Sequence, residues 1–133
     1  MRVCIVGGGG YLGCQLASRL QSQGAHTVLL DIVFPVHPNI VLDEKLTTRI
    51  QGSLLNEKIV EEALNACESC FHLAAYGMSG LQAYVSDYCA SKARAERAVL
   101  AADCPALHTC ALRLRGVYGP GEPRSTDRAA VRI

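Results

Sequence analysis

The chain has 133 residues, half of them hydrophobic and 19% charged, with a formal net charge of +1. That length fits one layered domain able to bury a core, and the balanced charge excludes the basic footprint of a nucleic-acid binder. The apolar run after Met1 stops at Val6, too short for a secretory core or a bilayer span, so a cytoplasmic protein with no membrane segment is expected.

In chain order, residues 3–6 are a short apolar run ending in glycine, and Leu12, Leu16, Ala17 and Leu20 follow at helical spacing, with Gly24 as the stop. Residues 27–30 are β-branched and apolar and end in Asp31; residues 32–46 carry two prolines and no clean period, hence a loop. A short third strand is expected at 48–50. A helix follows, marked by Ile59, Val60, Ala63 and Leu64, then a buried fourth strand at 70–74. Residues 88–102 are alanine-rich without glycine or proline, a helix closed by Pro105. A last strand is expected at 107–114, and 116–133 reads as an irregular tail of turn chemistry. Alternating strands and helices imply an α/β fold: one Rossmann-type parallel sheet with helices on both faces, about five strands in order 3-2-1-4-5, in a single NAD(P)-binding domain.

Seven cysteines, at 4, 14, 67, 70, 89, 104 and 110, have no framework spacing and read as reduced thiols. Cys67 and Cys70 make a CxxC. Zinc would want a second pair, though, and a thioredoxin-like motif would open a helix where this one closes it, so no metal is assigned.

Gly7, Gly10 and Gly13 stand at GxxGxxG spacing directly after a strand and opening a helix, the context that a dinucleotide fingerprint requires. One glycine allows the sharp turn, the next lets backbone amides approach phosphate, and the third lets helix pack on strand. Amides at the helix start, over Tyr11 and Leu12, would grip the pyrophosphate with the help of the helix dipole. Gly8 and Gly9 add freedom that suits a ligand-facing loop. Asp31 ends the second strand, where a carboxylate reaches the adenosine ribose 2′-hydroxyl and repels a 2′-phosphate, which favours NAD over NADP. A plain solvated acid is the alternative for Asp31.

Tyr88 and Lys92 are four apart on a helix and share a face. The pair suits acid/base work on an alcohol or ketone, since a nearby ammonium lowers the phenol's pKa. Spacing alone also describes a surface Tyr and Lys. With GGGGYLG at 7–13, FHLAAYGMSG at 71–80, YCASKARAE at 88–96 and CALRLRGVYGPGE at 110–122, the chain resembles the extended short-chain dehydrogenase/reductase superfamily, most closely its 3β-hydroxysteroid dehydrogenase/isomerase-like group. The resemblance implies a cofactor site of Gly7, Gly10, Tyr11, Leu12, Gly13, Asp31, Ala74, Ala75 and Lys92, with Tyr88 as catalytic acid/base and Lys92 its partner. It implies reversible hydride transfer between NAD and a secondary alcohol of a steroid or similar lipophilic substrate, and a homodimer.

The family pattern carries a further helix and a fifth strand with a catalytic serine or threonine before YxxxK. Here only residues 76–87 separate Ala75 from Tyr88, fewer than a parallel crossover plus its strand needs. The chain also stops soon after YGPGE, without the family's substrate domain. Val6, Ser53 and Leu114 stand where threonine, aspartate and proline are usual, and Arg115 where a small neutral residue is usual. Three readings follow: a working dehydrogenase, a dinucleotide-binding module without turnover, and a nucleotide-sugar epimerase or dehydratase. The motifs FHLAAYGMSG and CALRLRGVYGPGE resemble the steroid group more than the epimerases.

Overall fold

The computed structural model describes residues 1–74 and 85–112, with the backbone alone for 85–89 and 91. These residues fall into two compact units, 1–74 and 85–112.

In the first unit β1 (Arg2–Val6), β2 (His26–Asp31), β3 (Thr47–Gln51) and β4 (Ser69–His72) form a parallel sheet in the order β3-β2-β1-β4. Helix α1 (Tyr11–Gln21) joins β1 to β2, and α2 (Glu57–Leu64) joins β3 to β4. Right-handed crossovers run outward from β1 to β3 and then back across to β4, so they place α1 and α2 on opposite faces. The packing follows this geometry. Cys4, Val6, Val28 and Leu30 meet Ala63, Ile59 and Val60 of α2, whereas Ile5 and Leu29 meet Ala17, Leu16 and Leu20 of α1. Covered on both faces, β1 and β2 need apolar residues at consecutive positions, and their residues are accordingly buried in unbroken runs. Each large aliphatic side chain fully buried there contributes about 1.5–3 kcal/mol.

Gly24 adopts φ +81°, and its amide and that of Ala25 return to the carbonyls of Gln21 and Leu20, ending α1. Helix α2 starts on Asn56, whose side chain accepts the Lys58 amide at 3.2 Å. The segment from β2 to β3 has no helix beyond a single 3₁₀ turn, Glu44–Leu46. It is tied down by Gln21, which donates to Thr27 Oγ1 at 2.8 Å and Thr47 Oγ1 at 2.7 Å and accepts the Asp43 amide at 2.9 Å.

The four-strand order matches the first four positions expected from the sequence, and among the described residues 107–112 of the expected fifth strand form no strand. Residues 108–112 take no regular structure, and Cys104 and Leu107 exchange both backbone hydrogen bonds, each 3.0 Å, across a turn at Pro105 and Ala106. The cause is local. The turn satisfies these backbone groups within the chain's own reversal, and the Thr109 amide donates to Asp103 Oδ1 at 2.6 Å, which bends the chain back toward the helix end. Leu107 and Leu112 are accordingly exposed. The rest of the expected strand, 113–114, and the tail lie outside the described residues. The fourth strand is also shorter than expected, because the amides of Leu73 and Ala74 both turn onto the single carbonyl of Val6. In the second unit α3 spans Val85–Ala101, beginning before the alanine-rich stretch that announced it.

Candidate functional site

Where strand order reverses, between β1 and β4, the carboxyl ends of the strands leave a crevice, the usual ligand position of open α/β sheets. The glycine turn lies there, between Val6 and Tyr11. Gly7 has φ +88°, and its amide and that of Gly8 both donate to Leu30 O, at 2.8 and 3.2 Å. Each glycine is dictated by something different. A Cβ on Gly7 would stand 2.6 Å from Ala74 N, one on Gly8 2.7 Å from Leu29 Cβ, one on Gly9 would strike Val33 O, and one on Gly13 would strike Gly7 O. Gly8 and Gly9 are therefore demanded by packing rather than by flexibility, which corrects the sequence-based reason for them.

Gly10 differs. A Cβ there would meet only Gly7 O, at an ordinary 3.5 Å, and the residue has a φ of −73° that any amino acid adopts. Among the described residues nothing requires a glycine at this position, whereas a ligand seated on the helix start would. Gly10 caps α1 without a side chain, and the first intrahelical bond runs from Cys14 N to Gly10 O at 2.9 Å. The amides of Leu12 and Gly13 in the first turn thus have no acceptor within the helix. No acid occupies that turn either. A positively polarised helix start with neither a capping side chain nor an acid in its first turn, beside a position that a Cβ would fill, suits a pyrophosphate.

Asp31 holds the other side. Its Oδ2 accepts the Gly9 amide at 3.0 Å and its Oδ1 accepts the Ile32 amide at 2.8 Å. Each carboxylate oxygen keeps a lone pair for a ribose hydroxyl. This is more than a solvated strand-end acid, because the side chain fixes the glycine turn. Ala74 lies against Gly7 through its backbone. Ala75 and the side chain of Tyr88 lie outside the described residues. Lys92 is half-buried on α3, and burial holds its ammonium below the usual lysine value. Lys92 and the glycine turn belong to different units.

Two contributors escaped the sequence reading. His37 donates from Nε2 to Gly9 O at 2.9 Å and lies edge-on to Tyr11, with ring centroids 6.3 Å apart. Cys14 donates from Sγ to Gly8 O at 3.2 Å. A cavity of about 400 Å³ opens behind them, lined by Cys14, Leu29, Phe34, His37 and Leu42 among others. His37 sits in a stretch without periodicity, so only the folded loop reveals its partner.

The family model "NAD dependent epimerase/dehydratase family" matches residues 3–83, and "3-beta hydroxysteroid dehydrogenase/isomerase family" matches residues 78–132. The chain is 28% identical over 193 residues to short-chain dehydrogenase/reductase family 42E member 1 of Macaca fascicularis, covering 95% of this chain and 48% of the relative. It is 54% identical over 41 residues to 3beta-hydroxysteroid dehydrogenase/Delta(5)-Delta(4) isomerase 1 of Caenorhabditis elegans, covering 31% of this chain and 9% of that protein. Among solved structures, the Bordetella bronchiseptica enzyme WbmG in complex with NAD superposes with a TM-score of 0.51 at 25% identity, over 59% of this chain and 26% of that one. The chain spans about half the length of the 42E relatives it matches. The alignment to the macaque protein runs over 193 positions, against 133 residues here, so at least 60 positions (193 less 133) have no residue of this chain opposite them. Sheet order, glycine turn and family match agree: the chain belongs to the NAD-dependent epimerase/dehydratase family of extended short-chain dehydrogenases/reductases, whose cofactor is NAD.

Proposed function

We propose that the chain binds NAD(H) on the turn 7–13, with the amides of Tyr11, Leu12 and Gly13 on the pyrophosphate, Asp31 on the adenosine ribose, and Ala74 and Ala75 along the adenine side. The observation that carries this reading is Gly10, a glycine that none of the described residues requires and that a phosphate close to the backbone would. We infer further that the reaction served is that of a 3β-hydroxysteroid-type dehydrogenase, oxidising a secondary alcohol of a steroid or similar lipophilic substrate to a ketone. The match of residues 78–132 to the 3β-hydroxysteroid model supports this substrate class, as does the short stretch shared with the nematode enzyme. When bound, the nicotinamide supplies the hydride acceptor. Tyr88 takes the proton of the substrate hydroxyl, and the Lys92 ammonium beside it on α3 makes the phenol a strong enough acid for that exchange near neutral pH.

A second reading, NAD(H) binding without turnover, is favoured by the relative's 60 or more unmatched positions. The family's serine-bearing strand belongs ahead of Tyr88, where this sequence has no room for it. Fluorescence titration with NADH and NADPH, followed by addition of a steroid alcohol with NAD, separates the readings. NADH binding with alcohol-dependent NADH production supports the dehydrogenase, and binding without production supports the module. Failure to bind either nucleotide overturns both.

A further inference from the structure

The CxxC of the sequence leads to a thiol cluster that the dinucleotide reading does not use. Cys4 and Cys70 stand directly opposite each other on the parallel neighbours β1 and β4. Adjacent strands lie about 4.8 Å apart, inside the Cα separation of about 4.4–6.8 Å at which disulfides form. Cys4 is fully buried, whereas Cys70 lies on a strand whose residues are all exposed. Cys67, the other half of the CxxC, instead donates its thiol to Ala63 O at 3.3 Å, back toward α2.

We propose that Cys4 and Cys70 are a peroxide-sensitive dithiol that closes into a disulfide between β1 and β4. The Cys70 sulfur attacks one oxygen of hydrogen peroxide; the O–O bond breaks and water leaves, giving a sulfenic acid. The Cys4 sulfur then attacks the Cys70 sulfur. The S–S bond forms, the S–O bond breaks, and the hydroxyl departs as water with the Cys4 proton. Two thiols are oxidised and one peroxide is reduced to two waters. Electrostatics favour this order of events: the neighbouring Cys4 thiol lowers the Cys70 thiol below its ordinary value, whereas the Cys70 thiol beside it, with burial, raises Cys4. A bond between adjacent strands is of the strained kind that reductants reopen.

The test treats the reduced full chain with equimolar hydrogen peroxide, alkylates the remaining thiols and maps cross-linked peptides by mass spectrometry without reduction. A Cys4–Cys70 cross-link is expected as the main product, retained in Cys67→Ser, absent in Cys70→Ser, and reversed by dithiothreitol. Circular dichroism checks that each variant folds. Because Cys4 is buried, its role is read in the unsubstituted chain: oxidation in urea should give mixed pairings in place of the single one. A Cys67–Cys70 cross-link, or sulfinic acid on Cys70 with Cys4 still open to alkylation after unfolding, overturns the proposal.

Discussion

The glycine turn separates residues that serve the fold from one that serves a ligand. A methyl group on Gly13 would press on the backbone of Gly7 and Gly8, which cannot give way. Gly13→Ala should therefore lose about 1–3 kcal/mol of stability in urea unfolding. Gly10→Ala has space and an ordinary φ. The small capping loss and the small gain from a stiffer unfolded chain should leave stability within about 1 kcal/mol of the parent. NADH affinity should nevertheless fall at least about tenfold, a little over 1.4 kcal/mol of binding; unchanged affinity would remove the main support for the pyrophosphate site. Asp31→Asn keeps an oxygen for the Gly9 amide but loses the charge. NADPH should then gain on NADH in a competition titration.

At the scale of elements, the helix ends and the β2–β3 connection carry the local costs. Ala66 follows α2 with φ +57°, a left-handed conformation that disfavours residues with a Cβ. Ala66→Gly should raise stability by about 1 kcal/mol, seen as a later urea midpoint with an unchanged slope. Gln21 closes α1 by bonding Thr27, Thr47 and the Asp43 amide, and Gln21→Leu would take the acceptor from the Asp43 amide while the two threonine hydroxyls keep their bonds to Leu46 O and Asp43 O. A loss of about 1–3 kcal/mol is expected, with the greatest rise in hydrogen exchange at Asp43. Beyond it, Arg49 grips Glu44 with both guanidinium nitrogens and holds the carboxyl below its ordinary value of 4.5. A depressed carboxyl stabilises above its unfolded value and stops doing so as pH falls through the folded value. Glu44→Gln should thus lower the melting temperature slightly at neutral pH, and the difference should vanish in acid and shrink in salt.

For the molecule as a whole, ligand linkage is the broadest test. NADH at a hundred times its dissociation constant adds about 2.7 kcal/mol, which for a chain of 133 residues raises the melting temperature by roughly 10 °C. At the same NADH concentration the shift should fall to about half or less in Gly10→Ala. Among the described residues no helix is long and apolar enough to cross a membrane, and no cluster of ligands could hold a metal ion.

The sequence by itself determined the alternation of strands and helices, the order 3-2-1-4 and the place of the glycine turn. These rest on short-range rules: apolar runs for strands covered on both faces, a 3.6-residue period for helices, glycine at a forced turn, and right-handed crossovers. Asp31 was legible for the same reason, as an acid at a strand end. Residues 107–112 of the expected fifth strand form no strand because an apolar run reads the same whether or not a neighbouring strand is there to pair with it, and here the backbone of Cys104 and Leu107 pairs across its own turn. Only the tertiary structure decided which glycine is spare, that His37 and Cys14 secure the turn, and that Cys4 and Cys70 meet from opposite ends of the first unit. Contacts between residues so far apart in the chain depend on register and packing, and no local pattern encodes them.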